Sequence, residues 1–270
     1  MPGNVHIVGA GPGAADLLTV RAMSAILSAE VVLHDDLVSA EILAIIPAAA
    51  QIINVGKRCG SRANSQEKIN ALMVWHAHNG SRVVRLKSGD PAILGRLGEE
   101  MDALRREGIT FEVIPGITAV SAAASAAGIT LTDRRAASAL VLSTAHHCRT
   151  GEQKSLPHGA GRERTTFAVY MPGPDYSGTA RQLIQSGLNA NTPCVLVSNA
   201  SRSKQQVCHL TVSDLPFALG IAPPAVLIVG EVARKQTQQS EVQALNKFLE
   251  ENHEPIANRN QNSPYQRAGA

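Results

Sequence analysis

The first segment whose residues could do chemistry is GAGPG at residues 9–13, between a short apolar run and a helix-like stretch. Glycines at such a turn let the backbone approach a ligand closely, and the helix that follows offers unpaired N–H groups. Three glycines in five residues exceed what a tight turn requires. We therefore interpret this segment as a ligand-binding loop.

Taken alone, the first loop is nearly a dinucleotide-binding fingerprint. Ala14 stands where such a motif has its third glycine, and Asp35 or Asp36 ends the second predicted strand at about the distance of the ribose-binding acid. Pro12 adds rigidity to the turn, which argues against this interpretation. On these residues alone, an NAD(P) oxidoreductase remains an open alternative.

A second loop of small residues, 85–91, follows the fourth predicted strand and contains Ser88, Gly89 and Asp90. A third turn, at 115–119, opens a later helix. Ligands of open α/β sheets bind beyond the carboxyl ends of the strands, where turns of this kind meet. Three converging turns predict a compact, folded ligand that is held largely by backbone.

The elements that must position these loops alternate between β-branched runs and Ala/Leu-rich helical stretches. We predict strands near residues 5–8, 31–33, 52–55, 82–86 and 111–114. The predicted helices cover 14–27, 40–46, 66–78, 99–107 and 118–127. This alternation of strands and helices is typical of a parallel α/β architecture. A second series begins near residue 139, with strands near 140–142, 167–170, 194–197, 206–209 and 225–229 and a helix over 179–186.

Two α/β domains follow from this pattern. The predicted domains are residues 1–132 and 133–250, and the segment 129–137 is the expected linker. Residues 148–164 are rich in Gly, Pro and basic residues, which favours a loop. Residues 251–270 lack periodicity and predict a disordered tail.

Composition excludes several classes of function. Only 3% of the residues are aromatic and the formal net charge is +3, which disfavours base-stacking platforms and dedicated phosphate-backbone binders. No apolar run reaches the ~20 residues of a membrane span, and the start lacks the order of a secretion signal. The four cysteines are widely spaced and the pair His146-His147 lacks a third ligand, so we expect no metal and a reducing, cytoplasmic location.

Five motifs in order make the sequence resemble the uroporphyrinogen-III C-methyltransferases, which use S-adenosylmethionine. They are residues 9–13 with 16–19, 34–39, 55–58, 83–91 with 95–100, and 111–119. Residues 170–171, 192–193 and 224–232 correspond more loosely. The match covers roughly residues 5–235. The resemblance implies two α/β domains of the tetrapyrrole methylase type, usually as a homodimer.

The resemblance also implies where S-adenosylmethionine would bind, bent into the cleft between the domains. By motif position the donor would contact Pro12, Ser88, Gly89, Asp90, Ile93, Thr118, Ala119, Met171 and Ala200. Asp90 could hold an ammonium or ribose by charge-assisted hydrogen bonds, and Met171 offers adaptable apolar contact to adenine.

The catalytic pair of the family falls on Asp35 and Lys57. The implied reaction methylates uroporphyrinogen III at two pyrrole carbons to give precorrin-2. Because substitution at a ring carbon requires loss of a proton, Asp35 is a reasonable base and Lys57 a reasonable acid or electrostatic partner. Either residue could instead only position the substrate.

The implied substrate carries eight carboxylates, and arginine pairs with carboxylates in a bidentate manner. Basic residues crowd the ends of the third and fourth strands and the linker. The expected substrate-binding residues are Arg58, Arg85, Lys87, Arg96 and Arg134.

Several positions depart from the family pattern. They are His34, Asp36, Ser88, Ala92, Leu94 and the pair Leu97-Gly98. Ser88 replaces a glycine, and we expect that position to need a positive φ. These departures leave open a later corrinoid-pathway methyltransferase, and a member that binds its ligands without turnover. The sequence does not decide between sirohaem, cobalamin and haem d1 as the pathway served.

Overall fold

The structure is a computed structural model that describes residues 3–56, 65–145, 164–173 and 176–234. Within these ranges the strands form two five-stranded sheets. The predicted loop 148–164 is described only at Arg164. The predicted tail 251–270 lies outside the described residues. No helix in the described ranges is both long enough and apolar enough to cross a membrane.

The first sheet is parallel throughout, with strand order β3-β2-β4-β1-β5. Its strands are β1 (Val5–Gly9), β2 (Val31–His34), β3 (Gln51–Asn54), β4 (Val83–Lys87) and β5 (Phe111–Ile114). The helices of this half are α1 (Val20–Leu27), α2 (Ala40–Leu43), α3 (Gln66–His78), α4 (Leu97–Arg106) and α5 (Ala119–Ala127). The predicted parallel α/β architecture is confirmed, and the carboxyl ends of the strands meet at one edge.

The first helix begins later than its apolar spacing predicts. Residues 15–17 form a short 3-10 turn, and Ala14 and Leu18 are extended. The Thr19 side chain then accepts the Ala22 N–H and caps α1. Thr19 satisfies one of the free N–H groups at the helix start, which fixes that start at Val20. The extra extended residues lengthen the first loop.

Each face of the first sheet carries its own core. Val5, Ile7, Leu33 and Val83 belong to one cluster, together with residues of α3 and α4. The other face contributes a second cluster, packed with residues of α1 and α2. Burial on both faces explains why these strands are continuous apolar runs rather than alternating ones.

The second sheet is mixed, which the sequence did not predict. Its strands are β6 (Ala139–Thr144), β7 (Thr165–Tyr170), β8 (Pro193–Ser198), β9 (Gln206–Thr211) and β10 (Ala225–Val229), in the order β6-β7-β10-β8-β9. Only β6 and β7 pair in parallel, and the other pairs are antiparallel. Helix α6 (Tyr176–Gln185) packs against the 3-10 segment Val212–Phe217.

Helix α5 joins the two halves. It follows β5 of the first sheet, yet its buried residues Val120, Ala123 and Ala124 cluster with Val195 and Ile228 of the second sheet. Small side chains allow the helix to lie close to the strands. The boundary at 132/133 remains a prediction, since the helix that precedes it belongs to the second core.

Three glycines bring the loops after β1, β4 and β5 into backbone contact. A Cβ on Gly9 would lie 2.5 Å from the Gly116 nitrogen and 2.8 Å from the Gly89 oxygen. A Cβ on Gly116 would lie 2.4 Å from the same Gly89 oxygen. Gly9 and Gly116 are therefore required by space rather than by conformation, since neither has a positive φ. No side chain fits at this crossing.

We predict that Gly116→Ala destabilises the fold by about 2–3 kcal/mol, because the methyl group would have to displace backbone. Gly98→Ala is the control, since Gly98 lies in α4 with nothing within 4 Å of a built Cβ. That change should stabilise the helix by about 0.5–1 kcal/mol. Urea unfolding of both variants measures the difference, and equal midpoints would contradict this account of the crossing.

Candidate functional site

The first two loops are tied together by backbone hydrogen bonds. The Ala10 N–H donates to the Lys87 oxygen at 2.7 Å. Gly11 and Gly89 exchange N–H···O bonds at 3.1 and 2.7 Å, in an isolated antiparallel bridge. Both glycines are left-handed, with φ of 67° and 70°. The positive φ values explain the glycines at these two positions.

Asp90 joins the second loop to the third. Its Oδ1 accepts the Ala92 N–H at 2.8 Å, and its Oδ2 accepts the Gly116 N–H at 3.0 Å. The Ile93 N–H donates to the Asp90 carbonyl at 3.2 Å and closes the turn. Each carboxylate oxygen keeps a further lone pair, so contact with a donor ligand stays a prediction.

The expectation that Ser88 needs a positive φ is wrong. Gly89 takes the left-handed conformation, and Ser88 does not. Leu97, another departure from the family pattern, is the first residue of α4 and packs against the first core. Leu94 and Arg96 are left-handed, each with φ of 55°. The loss of glycine at 88 and 97 is therefore compatible with the loop geometry.

Tyr170 connects the third turn to the second sheet. Its hydroxyl lies 2.5 Å from the Thr118 Oγ1 and accepts the Val120 N–H at 3.3 Å. Burial raises the pKa of the Tyr170 phenol, which stays a neutral donor and acceptor. Met171 follows with φ of 49°, and the residue is 48% exposed. The sequence analysis predicted Met171 as a donor contact, but it did not predict the hydrogen bonds of Tyr170.

The loop after β8 reaches the first glycine loop. Ala200 is buried, and the neighbouring Ser201 Oγ accepts the Ala14 N–H at 3.3 Å. The structure thereby links the five segments that hold the predicted donor contacts. These segments are 10–14, 87–93, 116–119, 170–171 and 199–202. These segments offer small side chains and backbone groups, and they include the exposed thioether of Met171. Such a surface suits a folded ligand that carries an apolar ring.

Asp35 lies at the carboxyl end of β2 and is held by Arg85. The Arg85 Nη2 donates to the Asp35 Oδ1 at 2.5 Å. The Asp35 side chain is 29% exposed, whereas that of Arg85 is 2% exposed. One oxygen of the Asp35 carboxylate is therefore fixed by the buried Arg85, while the rest of the carboxylate still reaches the surface.

Arg85 is in turn anchored by Glu100 of α4. Its Nε donates to the Glu100 Oε1 at 2.9 Å, and Lys87 Nζ donates to the same oxygen at 3.0 Å. Gln66 of α3 donates to it at 3.4 Å. Residues 85 and 87 project from the same face of β4, which brings both cations to α4. The Glu100 Oε2 is buried and has no hydrogen-bond partner among the described residues.

Burial and charge act in opposite directions on the two cations. Burial alone lowers the pKa of the Arg85 guanidinium, but the carboxylates of Asp35 and Glu100 outweigh it and the pKa is raised. The pKa of Lys87 is lowered, first by burial and then by the charge of Arg85, although Glu100 opposes the shift. Arg85 is thus the fixed charge of this network.

Two of the expected substrate-binding residues lie inside the fold. Arg85 and Lys87 are buried and bonded to Asp35 and Glu100, so their placement favours support of Asp35 over direct contact with a substrate carboxylate. Arg96 is exposed and forms a bidentate pair with Glu99, at 2.7 and 2.6 Å.

The remaining predicted basic residues are only partly described. Arg134 is exposed and its carbonyl accepts from Arg164. Lys57 and Arg58 lie outside the described residues.

Two further departures have local explanations. The buried His34 places its Nδ1 3.1 Å from the Asp35 carbonyl. The Asp36 Oδ1 accepts from the Asn54 side chain at 2.8 Å, and Asn54 in turn accepts the Gly56 N–H. Both bonds hold the backbone on either side of Asp35.

The described residues contain no group of three His, Cys, Asp or Glu side chains placed to hold a metal.

The fold is that of an α/β protein in which the strand ends of one sheet meet the loops of another, which is where open α/β sheets bind their ligands. The chain matches the family model for tetrapyrrole (corrin/porphyrin) methylases over residues 4–216. The chain therefore belongs to the tetrapyrrole methylase family.

Relatives with assigned names agree with this. The chain is 43% identical to the uroporphyrinogen-III C-methyltransferase of Paracoccus denitrificans over 234 residues, which are 86% of this chain and 82% of the relative. It is also 43% identical to siroheme synthase 1 of Yersinia enterocolitica, over 85% of this chain and 49% of the relative. The chain spans about half the length of the siroheme synthases it matches.

Solved structures show the same fold. The Thermus thermophilus uroporphyrin-III C-methyltransferase in complex with S-adenyl homocysteine is 35% identical, with a TM-score of 0.70, over 86% of this chain and 99% of the other. A cobalt precorrin-4 methyltransferase is 30% identical, with a TM-score of 0.76, over 86% and 96%. The predicted fold class, with two α/β halves of the tetrapyrrole methylase type, is confirmed.

We predict that Glu100→Gln lowers the free energy of unfolding by about 3–5 kcal/mol, because it leaves buried cations without their carboxylate. Asp102→Asn is the control, since it breaks only the exposed pair with Arg105 on the same helix and should cost less than about 1 kcal/mol. Urea unfolding at neutral pH gives both values. Similar losses in the two variants would contradict a supporting role for Glu100.

Proposed function

We propose that the chain catalyses S-adenosylmethionine-dependent C-methylation of uroporphyrinogen III at two pyrrole carbons, giving precorrin-2. The observation that carries the proposal is that one network of backbone and side-chain hydrogen bonds joins the five segments with the predicted donor contacts. The relatives named above, including one whose solved structure holds S-adenyl homocysteine, support the same assignment.

The donor contacts are proposed from the motif positions. Pro12, Ser88, Gly89, Asp90, Ile93, Thr118, Ala119, Met171 and Ala200 would surround the ligand. The bound donor supplies an electrophilic methyl group that needs no activation by the protein. The task of these residues is then alignment, which can supply roughly 7–11 kcal/mol of a barrier. Rigid crossings such as that of Gly9, Gly89 and Gly116 suit this task.

Asp35 is the proposed base. The Arg85 guanidinium fixes one oxygen of its carboxylate, and the exposed remainder would accept the proton that the ring system loses. Lys57 is the proposed acid or electrostatic partner. In this account Arg85, Lys87 and Glu100 orient Asp35 and do not touch the substrate.

The carboxylates of the substrate would meet exposed cations. Arg96 and Arg134 are exposed, and Arg58 is retained from its motif position. The Arg96 guanidinium already forms a fork with Glu99, which presents it in a fixed plane. A homodimer in the cytoplasm remains part of the proposal; the homodimer rests on the family resemblance, and the location rests on the widely spaced cysteines.

A later corrinoid-pathway methyltransferase is the second candidate. The likeness to a cobalt precorrin-4 methyltransferase, with a TM-score of 0.76, is the observation in its favour. The identity to that structure is lower than to the Thermus thermophilus enzyme, and this favours the first candidate. The NAD(P) oxidoreductase rests only on the first glycine loop and the acid at the end of the second strand, Asp35 or Asp36.

The test is single-turnover methylation of uroporphyrinogen III, followed by mass spectrometry. We expect a gain of one or two methyl groups with the native chain. Asp35→Asn should reduce the rate by about 10²–10⁴-fold, since the proton acceptor is lost. Its affinity for S-adenosylhomocysteine, measured by calorimetry, should stay within about twofold, since Asp35 does not belong to the predicted donor contacts.

The contradicting outcomes are specific. Methyl transfer to a corrinoid precursor but not to uroporphyrinogen III would favour the second candidate. Binding of NADH without binding of S-adenosylhomocysteine would overturn the methyltransferase assignment. Binding of donor and tetrapyrrole without turnover would indicate a family member that has lost catalysis.

A further inference from the structure

Arg202 lies in the loop between β8 and β9, where the backbone is held in an unusual conformation. Asn199 and Ser201 are both left-handed, with φ of 50° and 62°. The Arg202 N–H donates to the Asn199 carbonyl at 2.9 Å, and the Ser201 N–H donates to the Gln205 Oε1 at 2.7 Å. Strain of this kind persists only where the surroundings fix the backbone. The loop therefore presents Arg202 in a defined direction.

The guanidinium of Arg202 bridges two loops of the first half. Its Nε donates to the Pro12 carbonyl at 3.2 Å, and its Nη2 donates to the Leu37 carbonyl at 2.5 Å. Pro12 belongs to the first glycine loop, and Leu37 belongs to the turn that begins at Asp35. One side chain of the second half thus holds both a predicted donor loop and the turn of the predicted base.

Gly13 provides the surface on which Arg202 packs. A Cβ on Gly13 would lie 2.6 Å from the Arg202 Cγ and from its Nε. Around this contact, Ser39 donates to the Gly13 carbonyl at 2.6 Å and Ser201 accepts the Ala14 N–H at 3.3 Å. Residues of the three segments 13–16, 38–41 and 201–203 line one cleft. The first glycine loop is therefore hydrogen-bonded both to Ser39 of the first half and to Ser201 of the second half.

The geometry of this contact favours arginine over lysine. Within the part of the chain that the structure describes, no carboxylate forms an ion pair with Arg202, and burial lowers the pKa of its guanidinium. Its observed partners are backbone carbonyls, so its role here is geometric. A planar fork can bridge two carbonyls that a single ammonium cannot hold in the same way.

We propose that Arg202 is a positioning residue that locks the first glycine loop and the Asp35 turn to the second half of the protein. This rests on the proposed function, in which Pro12 contacts the donor and Asp35 accepts the proton. Without Arg202, both loops gain freedom, and donor affinity and methyl-transfer rate fall together. The affinity for the tetrapyrrole is unchanged, because Arg202 holds backbone and not substrate.

The first experiment needs no ligand. Amide hydrogen exchange of the full chain is compared for native protein, Arg202→Lys, Arg202→Ala and Lys204→Ala. Lys204→Ala is the matched control, since it removes an exposed cation from the same loop. We expect roughly tenfold faster exchange at Ala14 and Val38 in Arg202→Ala, because one net hydrogen bond is worth about that factor. Lys204→Ala should exchange as the native chain does.

The second experiment measures ligand binding and turnover. Arg202→Ala should weaken S-adenosylhomocysteine binding about tenfold by calorimetry and slow single-turnover methylation by about 10²-fold. The KM for the tetrapyrrole should not move. Arg202→Lys should recover part of the affinity, and it serves as the test variant if Arg202→Ala does not fold.

The outcomes separate the two proposals. Unchanged exchange at Ala14 and Val38 in the Arg202 variants, or equal effects from Lys204→Ala, would overturn the positioning role. A rise in tetrapyrrole KM alone would overturn it in favour of a substrate contact. Faster exchange in Arg202→Ala combined with no donor binding by the native chain would support the lock and refute the proposed function.

Discussion

The contact on which the site depends is the crossing of three backbone segments at Gly9, Gly89 and Gly116. Because Gly9 and Gly116 have no side chain and Gly89 takes a left-handed conformation, the turns after β1, β4 and β5 touch, so the ends of three parallel strands form a single surface. Asp90 then ties the second turn to the third through the Gly116 N–H. Helix α5 starts from this surface and packs on the second sheet. The crossing therefore fixes the position of the second half as well as the shape of the cleft.

A buried ion network supports the end of the site that carries the proposed base. Glu100 holds Arg85 and Lys87, and Arg85 holds Asp35. Two cations and two carboxylates balance each other within the fold, which limits the cost of placing charges in the core. Because Arg85 is fixed by Glu100, the direction of the Asp35 carboxylate is set by α4 as well as by β2. Helix packing and the geometry of the proposed base are thereby coupled.

The sequence predicted the strands of the first sheet and its parallel architecture, because strands buried on both faces are continuous apolar runs. It also identified the loops that meet at the site, since their glycines signal close backbone approach. It did not predict the mixed second sheet, because the positions of strands along the chain do not determine whether neighbouring strands pair in parallel or antiparallel. Nor did it predict that Arg85 and Lys87 face inward. Their partner Glu100 lies 13 and 15 residues further along the chain, on α4, and only the packing of α4 on the first sheet brings the three side chains together. The bonds of Tyr170 and Arg202 are likewise long-range contacts without a local sequence signal.

The central claim is that five separate segments form one donor site. Amide hydrogen exchange on titration with S-adenosylhomocysteine tests it most directly, because it localises binding without requiring turnover. We predict new protection confined to residues 10–14, 87–93, 116–119, 170–171 and 199–202, rising together with a single affinity. Protection of the first glycine loop alone, or protection centred on another part of the described chain, would contradict it.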